Sequence, residues 1–94
     1  MYYSMSEWKL KGFKKSNTKN KKYDAIIQDK EGHERKISFG HTQYQQYKDT
    51  TGLNIYSNKD HLDKNRRRLY HIRHNKDIKP NQYSAGYFSM KYLW

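Results

Sequence analysis

Apolar and polar residues first alternate at positions 7–14, Glu-Trp-Lys-Leu-Lys-Gly-Phe-Lys, with Trp8 and Leu10 on one face and Lys9 and Lys11 on the other. A period of two predicts a short strand. Residues 15–22, Lys-Ser-Asn-Thr-Lys-Asn-Lys-Lys, hold no apolar side chain and predict an exposed loop that like charges keep open. Residues 23–29 and 33–39 read as the arms of a hairpin. A three-residue loop, Lys30-Glu31-Gly32, with Gly32 left-handed sets Asp29 against His33, Tyr23 against Phe39, Ala25 against Ile37 and Ile27 against Arg35. A two-residue loop would throw Tyr23 and Phe39 onto opposite faces, because a one-residue slip inverts a strand. Residues 40–57 are irregular, with a helical turn expected around Thr42–Lys48. A helix is predicted over 59–74, capped by Ser57 or Asn58, with Asp60 in its first turn, Asn75 at its end and Pro80 beyond. The segment 84–94 is an aromatic cluster in which a short helix would align Phe88 with Tyr92.

At about 100° per residue the central helix sorts into three arcs. Leu62, Leu69 and Ile72 form an apolar arc expected to face the core. His61 precedes a second arc of Asp63, Arg66, Tyr70, Arg73 and His74, whose three- and four-residue spacings make them surface neighbours. Asp63 can pair with Arg66 or Arg67. This arc is either a polar network that docks the helix or an anion site. The third arc, Lys64, Arg67, Arg68 and His71, suits contact with phosphates.

Composition sharpens this outline. The chain has 94 residues, enough for one domain, and only 33% are hydrophobic. Ten Tyr, three Phe and two Trp must supply most of the buriable area, so the core is expected to be thin and built on rings. The net charge of +11 is self-repelling and calls for an acidic partner. Nucleic acid comes first, then an acidic protein face. The loop lysines Lys14, Lys15, Lys19, Lys21 and Lys22 join the outer helix arc as candidate phosphate contacts. Without cysteine there is no disulfide, thiolate metal site or cysteine nucleophile. The first residues lack the charged start and apolar run of a secretory signal, and residues 1–6 are expected to be flexible. No stretch approaches the roughly 18 apolar residues of a membrane span.

Five histidines raise the question of catalysis. His61 with Asp63 could serve a metal-dependent nuclease, but such chemistry wants clustered carboxylates or a histidine-rich cage. The nine acids are scattered, and Asp60 and Asp63 would point about 60° apart on a helix. No phosphate-binding glycine loop, zinc-protease motif or nucleophile elbow occurs. The reading is of a binding protein, with no enzyme activity, metal or cofactor.

Phe39-Gly40, then His61-x-Asp63-x-x-Arg66-x-x-x-Tyr70-x-x-Arg73-His74, then Ala85-Gly86-Tyr87-Phe88-Ser89 closing on Leu93-Trp94, form an ordered pattern across residues 8–94. It resembles a family of small basic proteins of unassigned function encoded by large DNA viruses of algae and protists and by some tailed phages. His41 stands where that family commonly has an acid, and residues 49–57 look like an addition. The resemblance implies a viral origin, with virion or infected-cell localisation and virion proteins as further partners.

The expectation is therefore an α+β domain. A three-stranded antiparallel sheet near the N-terminus is packed by one central helix and a C-terminal aromatic helical segment. Its expected role is to bind nucleic acid without strong sequence specificity. A minor capsid or cement protein, and a regulator binding an acidic host protein, are the alternatives.

Overall fold

A computed structural model describes residues 3–79 and 81–94, apart from the side chain of Asp77; Met1, Tyr2 and Pro80 lie outside the described residues. The fold is α+β, and its centre is the antiparallel sheet expected from the sequence. Strand β1 is Tyr3–Ser4, β2 Trp8–Lys15, β3 Lys21–Asp29 and β4 Glu34–His41, with β3 in the middle of the β2–β3–β4 sheet. The hairpin register is the one the three-residue loop demands: Tyr23 faces Phe39, Ala25 faces Ile37 and Ile27 faces Arg35. Gly32 takes φ +89°, and the Asp29 amide donates to the His33 carbonyl at 3.0 Å. Asp29 also accepts from the His33 and Glu31 amides through its side chain.

Leu10 and Phe13 are three apart and would lie on opposite faces of a regular strand. A bulge between Leu10 and Gly12 resets the alternation, so Leu10 pairs with Ile27 and Phe13 with Ala25 on the core face. Tyr23, Ala25, Ile27 and Phe39 are wholly buried there. The layer above them comes from helix α2, Ala85–Tyr92, whereas helix α1, Lys64–His74, adds no residue to the core cluster. The Ser84 side chain caps α2 by accepting from the Tyr87 amide at 3.1 Å. Phe88 and Leu93 are buried, and Phe13 meets Phe39, Phe88 and Tyr92 edge to face. The core is thus a small cluster of rings with few aliphatic side chains.

Several expectations are corrected. Residues 3–6 are tied down: β1 pairs with strand β5, Gln82–Tyr83, and the Met5 amide donates to the Asn81 carbonyl at 2.9 Å. The lysine-rich loop is shorter than expected, confined to residues 16–20, of which 17–20 are exposed. β2 and β3 run through Lys15 and from Lys21, and the Ser16 amide closes on the Lys22 carbonyl at 3.1 Å. Around Thr42–Lys48 a single turn, from the Tyr44 amide to the His41 carbonyl at 3.1 Å, replaces the helical turn. Ser57–Lys59 is a separate 3-10 turn, and α1 begins only at Lys64. Leu62, Leu69 and Ile72 do not face the core: they are 59%, 41% and 61% exposed. Phe88 and Leu93 of the C-terminal segment already fill that space.

A buried polar network explains how residues 42–63 hold to the sheet. The Lys22 ammonium donates to the Tyr44 carbonyl at 2.7 Å and to the Gln46 side-chain oxygen. The Gln46 amide group in turn donates to the Tyr56 carbonyl at 2.9 Å and to Asp60 at 2.7 Å. The Tyr23 hydroxyl donates to Asp49 and accepts from the Ile55 and Tyr56 amides. Asp49 accepts further from the Thr51 amide and hydroxyl, and its own amide donates to Asp60 at 3.0 Å. Buried polar groups satisfied in this way fix a single arrangement of an otherwise irregular segment.

Candidate nucleic-acid interface

Helix α1 starts where Asp63 can cap it. The carboxylate accepts from the Asn65 amide at 3.0 Å and the Arg66 amide at 3.2 Å, so it does not form the expected pair with the Arg66 or Arg67 side chain. His61 orients the cap, its Nδ1 accepting from the Asp63 amide at 2.9 Å. Burial, then the neighbouring Arg66 charge, lowers the His61 pKa, in keeping with a ring nitrogen that accepts a hydrogen bond. No residue of α1 is buried. The helix is instead held from its side by Trp94. Tyr70 lies parallel to the Trp94 ring at 4.2 Å and 2°, His74 lies 4.4 Å from Tyr70, and His61 lies 5.1 Å from Trp94. The Arg67 Nε donates to the Trp94 carbonyl at 2.7 Å, and its guanidinium sits 4.9 Å from the Tyr47 ring centre.

This side-on attachment leaves an open cleft of about 770 Å³ between α1 and the 43–45 segment. Lys59, Arg66, Arg73 and His74 supply its positive and titratable groups, and Tyr44, Leu69, Tyr70 and Trp94 its apolar surface. Neither Asp nor Glu is among the described residues lining it. Arg66 spans the cleft, donating to the Gln45 side-chain oxygen at 2.9 Å. A recess adjoins it beyond Tyr44 and Trp94, with Lys21 and His41 on its wall. The arrangement offers cations for phosphate oxygens beside flat apolar rings.

The expected site residues are thus redistributed. Of the second arc, Arg66, Tyr70, Arg73 and His74 share the cleft, while His61 and Asp63 build the helix start. The outer arc does come together, Lys64, Arg67, Arg68 and His71 lining a shallow groove, with Arg68 donating to the Asn65 side chain at 3.1 Å. Lys14, Lys15 and Lys19 stay exposed at the hairpin turn and are not among the described residues lining the cleft; Lys21 reaches its adjoining recess. Lys22 must be struck from the candidate phosphate ligands. It is 1% exposed, and its ammonium is engaged by Tyr44 and Gln46. Burial, then the Lys59 charge, lowers its pKa to about 8.

Tyr44, Gln45, Lys59 and Trp94 carry no signal in the sequence that marks them as site residues. They come from three separate segments: the buried network around Lys22 and Gln46 holds the first two opposite α1, and Trp94 arrives from the C-terminal segment to stack on Tyr70. The one legible sign was the Tyr70 position on the basic arc, where a ring invites a ring partner. Comparison with known protein families, curated proteins and solved structures gives no match for the chain. No helix among the described residues is long and apolar enough to cross a membrane.

Proposed function

We propose that this chain is a nucleic-acid-binding protein that holds the phosphate backbone, without strong sequence specificity, in the cleft between α1 and the 43–45 segment. The observation that carries the reading is the cleft lining, with Lys59, Arg66 and Arg73 beside Tyr44, Tyr70 and Trp94 and neither Asp nor Glu among its described residues. Cations for phosphates next to rings for bases is the chemistry of backbone-directed nucleic-acid binding. Helix α1 supplies a second support. Lys64, Arg66, Arg67, Arg68 and Arg73 are placed on a helix that has no fully buried residue and, beyond the Asp63 cap, no acid in its first turn. Cations at a helix N-terminus oppose the dipole, and their mutual repulsion lowers stability. A partner bearing many negative charges relieves both.

Titration of labelled DNA and RNA at two salt concentrations tests the reading. Affinity should fall steeply between about 50 and 200 mM salt, as counterion release requires, with little dependence on base sequence. Undetectable binding at low salt would remove nucleic acid as the partner. The setting we infer, a virion or genome-associated component, is supported by the sequence resemblance. Mass spectrometry of purified particles tests it, and absence of the chain from them would overturn that part alone.

A further inference from the structure

We propose that Tyr44 is a base-stacking platform and that the cleft takes a single-stranded nucleic acid in preference to a duplex. The inference rests on the nucleic-acid reading of the cleft and specifies its ligand. The rings on the α1 side are occupied by each other, Tyr70 being stacked on Trp94 at 4.2 Å with His74 at 4.4 Å. Tyr44 on the facing wall is arranged differently. One of its faces lies on His41, with ring centres 4.4 Å apart and planes 23° from parallel. The residue is nevertheless 66% exposed, so the other face is open to solvent.

The platform is also rigid. The His41 ring is fixed by the Gln43 amide, which donates to its Nδ1 at 3.2 Å. The Tyr44 backbone is clamped on both sides, its carbonyl accepting from Lys22 at 2.7 Å and its amide donating to His41 at 3.1 Å. None of these bonds uses the Tyr44 ring. A ring held ready in this way spares a ligand the cost of ordering it. Tyr44 lies where the cleft meets the adjoining recess, so Arg66 and Arg73 stand on one side of it and Lys21 on the other. A strand crossing Tyr44 could place one base on the open face and phosphates against both sets of cations. A duplex keeps its base faces in its own stack and offers none to the platform.

The test compares the full chain with Tyr44→Ala and Tyr44→Phe on three probes: a short oligothymidylate, an abasic strand of equal length, and a duplex. Circular dichroism confirms that each variant is folded, which the exposed position of the ring favours. Tyr44→Ala should lose about ten-fold in affinity for oligothymidylate, within the range for one base stacked on an aromatic ring. It should leave abasic and duplex affinity and the salt slope unchanged, and Tyr44→Phe should bind like the parent chain. Equal loss on the abasic strand, or no loss on oligothymidylate, overturns the platform while leaving backbone binding intact. Failure of the parent chain to bind any of the three at low salt overturns the underlying reading and the platform with it.

Discussion

Lys22 and Tyr23 are consecutive in β3, point to opposite faces, and are both buried, so each registers pH through folding. Burial lowers the Lys22 pKa from 10.5 to about 8, whereas burial and then Asp49 raise that of Tyr23 from 10.0 to about 12. Between pH 8 and 10.5 the unfolded chain keeps the Lys22 proton that the folded chain has released. Stability therefore rises with pH across that window, by about 3 kcal/mol in total. The Tyr23 contribution is complete below pH 10 and lost as pH climbs through about 12, because the unfolded hydroxyl ionises first. Urea unfolding followed across alkaline pH should show both limbs as differences from variants: Lys22→Met should remove the rise and Tyr23→Phe the fall. The burial of Lys22 was not legible in the sequence. It sits in a polar lysine run, and what covers it, Tyr44 and Gln46, comes from a distant segment with no regular structure. Gly40 belongs to the same junction. It has φ +76°, and a Cβ there would come within 3.0 Å of Leu93 and 3.2 Å of Lys22. Gly40→Ala should cost roughly 2 kcal/mol, read by the same unfolding measurement.

At the scale of elements, the three-stranded sheet was readable because alternation and turn chemistry are local signals, and Gly32 alone set the register of Tyr23 against Phe39. The central helix was half readable. Arg66, Tyr70, Arg73 and His74 do share one side of it, but Leu62 and Asp63 precede the helix, and periodicity does not say which arc is covered. Leu62, Leu69 and Ile72 are exposed because the ring core is closed by Phe88 and Leu93. The helix also starts later than expected, since Asp60 is engaged by Gln46 and the Asp49 amide and Asp63 takes over as cap. Helix α1 thus depends on its cap and on its side-on packing against Trp94. Asp63→Ala should lower its stability by about 1 kcal/mol, and Asp63→Asn, which still accepts the amides, should cost much less. Hydrogen exchange separates this from a global effect. Amides of α1 should exchange through local opening far faster than those of Tyr23, Ala25 and Ile27, and Asp63→Ala should speed only the former.

At the scale of the whole molecule, the surplus of +11 is divided among sites that the fold keeps distinct: the hairpin turn with Lys14, Lys15 and Lys19, the outer groove of α1, and the cleft. The radius of gyration, 13.3 Å, is close to the roughly 12.5 Å expected of a compact chain of this length, so these sites lie on one small body. If charge alone drew the ligand, removing cations from any of these sites would weaken binding alike. A ligand seated in the cleft makes a different demand. Arg66→Ala with Arg73→Ala should lower nucleic-acid affinity and reduce the salt slope by about two, one for each phosphate left without its arginine. Lys14→Ala with Lys15→Ala removes the same charge from the sheet and should leave the slope nearly unchanged. Lys64→Ala with Arg68→Ala probes the outer groove in the same way. Arg67 is left out of that pair because its bond to the Trp94 carbonyl holds the helix. Equal slopes for the three double variants would mean that the ligand is drawn by total charge, with no preferred seat in the cleft.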